Sequence, residues 1–159
     1  MPFGACVLKD GEKKTPVMIH RAVLGSVERM IAILTEHFAG KWPFFLSPRQ
    51  AMVVPVSKAQ ADYAQQVEQR LTQAGYYVDA DLTYRTLNKM VREAQLSQYN
   101  FILVVGSSEE KDGSVNVRTR NNEQVGVKSI EDFIADCHKM VSDHTLDVQL
   151  DVTAGKEAK

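Results

Sequence analysis

The chain of 159 residues contains only two cysteines, Cys6 and Cys137. They lie far apart and match no CxxC spacing, so neither a cysteine metal site nor a redox pair is indicated. No run of 18 apolar residues occurs, which excludes a membrane-spanning helix. The N-terminus lacks the charged-then-apolar pattern of a signal peptide. These absences together favour a reducing, cytoplasmic setting, and no membrane partner is expected. No GxxxxGK phosphate loop is present. No local signature supports a thiol nucleophile at either cysteine, and Cys137 falls on an apolar stripe that buries it. Charge of one sign is also missing: 19 Lys and Arg against 20 Asp and Glu leave a net charge of −1. Binders that hold nucleic acid by bulk charge are strongly basic, so the total argues against that mode, and no DNA partner is expected.

What is present is an ordinary globular composition, 44% apolar and 25% charged, with room for one domain and a remnant of another. The charges are unevenly spread. Arg85, Lys89 and Arg92 cluster, Lys111, Arg118, Arg120 and Lys128 follow, and Asp132, Asp136, Asp143, Asp147 and Asp151 come after them. A local basic face of this kind can hold a short piece of RNA while the total stays near zero.

Asp10-Gly11 is a hairpin turn signal between residues 5–9 and 15–20. Val27, Met30, Ile31, Leu34 and Phe38 then predict a helix over residues 26–38 with one buried face. Arg29 lies among those apolar positions and is expected on the core side, where it would need a partner. Gly40 reads as the C-cap and Pro43 prevents continuation. Residues 51–56 form a valine-rich run suited to a strand buried on both faces. Residues 57–60, Ser-Lys-Ala-Gln, read as a capping box before a helix that buries Tyr63, Val67, Leu71 and Ala74 and stops at Gly75. A strand over 76–81, a helix carrying Leu87, Met90, Val91 and Ala94, and a strand over 101–105 follow. A turn at Lys111-Asp112-Gly113 leads into a strand over 115–119. Ser129 caps the last helix, which is expected to bury Ile130, Phe133, Ile134, Cys137 and Val141. This alternation implies a three-layer α/β/α arrangement on a mixed sheet of about five strands, with the strand after Gly113 antiparallel to its predecessor.

Residues 20–34, His-Arg-Ala-Val-Leu-Gly-Ser-Val-Glu-Arg-Met-Ile-Ala-Ile-Leu, resemble the third signature motif of class II aminoacyl-tRNA synthetases. The His-Arg-Ala and Gly-Ser before Glu28-Arg29 are similar to the threonyl-tRNA synthetase family in particular. Trp-Pro-Phe-Phe-Leu-Ser-Pro-Arg-Gln at 42–50, Asn-Phe-Ile-Leu-Val-Val-Gly at 100–106 and Val-Asn-Val-Arg-Thr-Arg at 115–120 resemble that family's anticodon-binding domain, closest to its eukaryotic cytosolic branch. The resemblance implies four segments: a hairpin and helix remnant of a class II catalytic domain over 1–40, a linker over 41–50, a class II anticodon-binding domain over 51–146, and a tail over 147–159 expected to be disordered.

What the family does implies the expected site. His20 matches one of three zinc ligands, Ser26 a residue beside the bound adenylate, and Arg29 the arginine that stacks on the adenine of ATP, a task suited to a planar, permanent cation. Two zinc ligands and the first two class II motifs are missing, so this chain alone is expected to need no cofactor and to be inactive in amino-acid activation. Zinc, ATP and magnesium belong to the parent enzyme, as does homodimerisation through its catalytic domain. The anticodon readers fall at Tyr84, Arg92, Gln98, Glu109 and Arg118. Glu109 would accept from guanine N–H groups, and the arginines would donate to carbonyl edges or phosphates. Tyr84 and Gln98 depart from the bacterial pattern of asparagine and arginine. The expected function is recognition of the threonine tRNA anticodon stem-loop as the C-terminal part of a threonine–tRNA ligase; the alternative is a free-standing anticodon-domain protein acting as an RNA-binding or assembly subunit.

Overall fold

The computed structural model describes residues 6–7, 13–14, 19–83 and 85–146 and divides the chain into two compact units, Met1–Ile33 and Leu34–Lys159. In the first unit the hairpin consists of two short antiparallel strands, β1 (Cys6–Val7) and β2 (Lys13–Lys14), with Cys6 opposite Lys14. The return strand therefore lies closer to the turn than residues 15–20, of which Ile19 and His20 are irregular and exposed and 15–18 fall outside the described residues.

Helix α1 (Val27–His37) starts where Ser26 Oγ accepts the Arg29 N–H at 3.5 Å. The apolar stripe is divided: Met30, Leu34 and Phe38 are half-buried, but Val27 and Ile31 are exposed. Arg29 is exposed as well. It was expected to face a core, yet α1 has no buried residue, so no dry side exists for it to face. The helix ends in a Schellman motif, with Gly40 N–H donating to Thr35 O at 2.9 Å and Ala39 N–H to Glu36 O at 3.2 Å. The left-handed position next to the helix end is thus Ala39, at φ 50°, with the expected Gly40 one residue beyond it.

The second unit is built on five strands: β3 (Ala51–Pro55), β4 (Val78–Ala80), β5 (Phe101–Val105), β6 (Ser114–Thr119) and β7 (Gln124–Ser129), in the spatial order β4-β3-β5-β6-β7. β3 pairs in parallel with β4 and β5, and β6 runs antiparallel to both β5 and β7. One strand of five is reversed, as expected. β5 is apolar throughout and fully buried because both of its faces are covered. On one face lie α2 (Ala61–Gln73) and α5 (Ile130–Ser142), whose Tyr63, Val67, Leu71, Ile130, Phe133 and Cys137 pack with Val53, Phe101, Leu103 and Val117. On the other lies α3 (Leu87–Leu96), whose Met90, Val91 and Ala94 pack with Val54, Ile102 and Val104. The three layers follow from the two periods meeting: 2.0 along the strands and 3.6 along the helices.

Several local expectations change. The capping box at 57–60 is instead a 3-10 turn, Lys58–Gln60, headed by Ser57, whose Oγ accepts the Ala59 N–H at 3.3 Å and donates to Gln60 Oε1 at 2.6 Å. A six-residue helix, α4 (Ser107–Asp112), occupies the approach to Gly113. In α5, Met140 is buried and Val141 is exposed, one step round the helix from the expected position. The segment read as a linker contributes Phe44 to the core, 5.5 Å from the Phe101 ring and 5.7 Å from the Tyr76 ring. Buried Gln50 secures that segment, donating to Phe44 O at 3.0 Å and accepting the Tyr77 N–H at 2.8 Å.

Burial pushes the Cys137 thiol far above its ordinary range, consistent with an inert core thiol. Burial likewise pushes Tyr76 up to about 12 from 10.0, and its hydroxyl has no hydrogen-bond partner among the described residues. Between those values the unfolded tyrosine ionises while the folded one does not, so stability falls as pH rises through that window. Tyr76→Phe is expected to leave neutral-pH stability nearly unchanged, because a hydrogen atom replaces a hydroxyl that makes no hydrogen bond among the described residues. It should also flatten the loss between pH 10 and 12 by about 1.4 kcal/mol per pH unit at most, read from urea midpoints. An unaltered alkaline slope would mean that other groups control it.

Candidate nucleic-acid interface

The strand register determines which side chains share a face. Ile102 is opposite Arg118 and Val104 opposite Asn116, and both isoleucine and valine belong to the α3 side of the sheet. Arg118 and Asn116 therefore lie on that same side, while Val115 and Val117 point to the α2 and α5 side. Helix α3 packs over β3 and β5, whereas β6 and β7 on this face are left half-covered, with Gln124 and Val127 exposed. Arg118 Nε and Asn116 Oδ1 are both buried without hydrogen-bond partners among the described residues. Buried polar atoms are normally satisfied, so these two, with Ser114 Oγ on the same strand, form a row whose hydrogen-bonding capacity is unused among the described residues.

The other expected readers border this row. Arg92 is exposed on α3. Gln98 ends α3 in the left-handed region, at φ 62°, which is tolerable for a residue whose N–H still reaches Gln95 O at 3.0 Å. Its Oε1 is likewise buried and unpartnered among the described residues. Gln98 sits just before β5 and Glu109 just after it, so the two lie at opposite ends of a strand on the order of 15 Å long. Glu109 has one oxygen engaged: its Oε2 accepts the Gly106 N–H at 3.0 Å, closing the start of α4. Gly106 leaves room for that carboxylate, since a Cβ there would lie 2.8 Å from Glu109 Oε2. Tyr84 lies outside the described residues.

The basic cluster read from the sequence is smaller than its count suggested. Arg85 is bound to Glu93 and, at 3.1 Å, to Asp81. Burial opposes the Asp81 charge, but hydrogen bonds from Thr83 and the Arg85 guanidinium outweigh it and hold the carboxyl below its usual range. Lys128 is buried and donates to Asp136 Oδ2 at 2.6 Å, on the α5 side. Arg120 Nη2 donates to Trp42 O at 2.6 Å. Lys89, Arg92, Lys111 and Arg118 remain for a polyanion. Asn116 joins the expected readers: it stands two residues from Arg118 on one strand, and that period of two is its signal in the sequence.

The remaining sequence-expected residues stand elsewhere. His20 is exposed in the first unit, and Ser26 and Arg29 are joined only by the helix-start contact already described. A zinc site needs at least three protein ligands. Among the described residues no three His, Cys, Asp or Glu side chains come together to supply them, so these residues do not fit a zinc centre.

Residues 50–140 match the family model described as anticodon binding domain. The chain is 60% identical over 125 residues to mitochondrial threonine–tRNA ligase 1 of Arabidopsis thaliana, a match covering 79% of this chain and 18% of that protein. It is 59% identical over 130 residues to cytoplasmic threonine–tRNA ligase 1 of Bos taurus, covering 80% and 18% respectively. The chain thus spans about a fifth of these relatives' length. A crystal structure of the RNA binding domain of threonyl-tRNA synthetase from Cryptosporidium parvum Iowa II superposes with a TM-score of 0.71 at 43% identity, covering 83% of this chain and 33% of that one. With its mixed sheet, its three layers and these matches, the chain belongs to the anticodon-binding domain family and is homologous to the C-terminal region of threonine–tRNA ligases.

Proposed function

We propose that this chain binds tRNA and reads the anticodon of threonine tRNA as the recognition part of a threonine–tRNA ligase. The observation that carries the reading is the row of unpartnered polar atoms at Arg118 and Asn116 on the half-covered side of β6. Sequence-specific RNA recognition takes splayed, unstacked bases and satisfies their edges, and donors and acceptors held in place on a strand suit that task. On this reading Arg118 and Arg92 donate to base carbonyls or phosphates, and Gln98 hydrogen-bonds a base edge. Glu109 accepts through the oxygen not used on Gly106, and Tyr84 stacks. Amino-acid activation, with its ATP, magnesium and zinc, and any homodimer contact are assigned to the whole ligase, to whose active site His20, Ser26 and Arg29 would contribute. The cytoplasmic setting is part of the same proposal; no described helix is long and apolar enough to cross a membrane.

The test is fluorescence anisotropy with stem-loops carrying the threonine anticodon, whose second and third bases are G and U. Replacing either base should weaken binding roughly tenfold, within the 1–3 kcal/mol that a well-formed edge contact contributes. The salt dependence should stay shallow, because few phosphates are contacted. Equal affinity for all anticodons would reduce the site to a nonspecific RNA surface and overturn the reading.

A further inference from the structure

We propose that the cavity between residues 40–49 and the end of α3 receives one unpaired nucleotide of the bound RNA, its base against Trp42 and its phosphate on Arg49. The inference rests on the RNA-binding reading above and extends it from Gln98, one of the expected readers, to residues 40–49, which hold none. The cavity measures about 380 Å³ and has Trp42, Pro48, Arg49, Leu96 and Gln98 in its walls. That volume is at the small end of the range for small-molecule sites, roughly 300–1,000 Å³, suited to a single nucleotide and too small for a stem.

Each wall has a property that matches part of a nucleotide. Leu96 is 71% exposed although it is a large apolar side chain at the last turn of α3. Leu96, Pro48 and the half-buried Trp42 ring provide apolar surface for the faces of a base. Gln98 also lines the cavity, and its side-chain amide can donate to or accept from a base edge. Arg49 is exposed at the rim, fixed by its Nη1 hydrogen bond to Ser97 O at 3.0 Å and 5.9 Å from the Tyr99 ring. A guanidinium held in this way presents its remaining N–H groups to an anion without first losing side-chain freedom.

The tryptophan is also preorganised. Its carbonyl accepts from Asn100 Nδ2 at 3.0 Å and from Arg120 Nη2 at 2.6 Å. Arg120 follows Arg118 by two residues, next to the end of β6, so the row of unpartnered groups on β6 leads directly to the backbone that holds Trp42. An RNA strand lying along that row meets the cavity at its end, and a base turned out of the stack there exchanges stacking on its neighbours for stacking on Trp42.

Trp42 is the only tryptophan of the chain, which makes its emission a reporter of this cavity alone. The experiment titrates the full chain with the threonine anticodon stem-loop, following anisotropy of a labelled RNA and Trp42 emission in parallel. Saturation is expected to quench Trp42, and replacing the loop nucleotides one at a time by abasic residues should identify a single position whose loss both weakens binding and restores emission. Trp42→Ala should weaken binding roughly tenfold while Trp42→Phe keeps most of it, as stacking requires. Arg49→Ala and Leu96→Ala, both at exposed positions where folding is not at stake, should each weaken binding several-fold. Binding by anisotropy with unchanged Trp42 emission and unchanged affinity in Arg49→Ala and Leu96→Ala would overturn the cavity proposal and leave the RNA-binding reading intact. No binding of any stem-loop would overturn both.

Discussion

Phe101→Ala is expected to destabilise the Leu34–Lys159 unit by about 3–5 kcal/mol, the usual cost of removing a buried aromatic ring. Phe101 is fully buried at the start of β5, in the middle of the sheet order. Its ring lies 5.5 Å from Phe44 and 5.4 Å, edge to face, from Phe133. The vacancy would therefore be bordered by the segment before β3, by α5 and by the central strand at once, and none of the three can move in without leaving the other two. At about 4 °C per kcal/mol for a unit of this size, the melting temperature should drop by roughly 10 °C or more. Calorimetry of the variant provides the check. A loss under about 1.5 kcal/mol would mean that the Phe44 segment collapses into the space and is less firmly docked than its hydrogen bonds to Gln50 indicate.

Arg118→Ala is expected to weaken binding of the threonine anticodon stem-loop by about 1–3 kcal/mol, roughly 5- to 150-fold. It should also reduce discrimination between anticodons, because Arg118 is held by the strand and its Nε is buried without a partner. Arg118→Lys should recover little, since an ammonium cannot reproduce a planar fork of donors. Arg92 provides the contrast. It is exposed on α3, and if it meets a phosphate, Arg92→Ala should weaken all anticodons alike and lower the salt slope by about one. Anisotropy titrations at several salt concentrations distinguish the two cases. Equal, sequence-independent losses from both variants would mean that Arg118 also contacts only the backbone.

The sheet and its three long helices were legible because their apolar spacing is regular. β5 reads Phe-Ile-Leu-Val-Val without interruption, and α2, α3 and α5 repeat apolar residues every three or four positions. α4 was not legible: Ser-Ser-Glu-Glu-Lys-Asp has no apolar period and buries nothing. β7 was obscured for another reason. Its inward positions are Val125 and Lys128, a bulge lies between them and the β6 register, and Gly126 takes φ 116°. A strand that places a lysine inward does not look like a strand. The same lysine shows why charge clusters in a sequence overstate a basic face. Asp136, which neutralises Lys128, is on the next helix, and nothing in the spacing announces the pair. Trp42 and Arg49 read as linker because their neighbours are Pro and Gly, yet the fold brings them beside Gln98, about fifty residues away.

The reversed direction of β6 has a consequence for the order in which the sheet assembles. Pairing Arg118 with Gln124 closes six residues of chain, whereas pairing Ala51 with Phe101 closes fifty. The entropy of closure grows with the logarithm of length, so the longer loop costs about 2 kcal/mol more before any contact returns it. The β6–β7 hairpin is therefore the inexpensive part of the search and can form while β3 and β5 are still apart. The parallel half is late and slow, and until it closes β5 presents five apolar residues and the unpaired edge that β3 later covers. During that interval the strand that later becomes the best-protected part of the molecule is its greatest aggregation hazard.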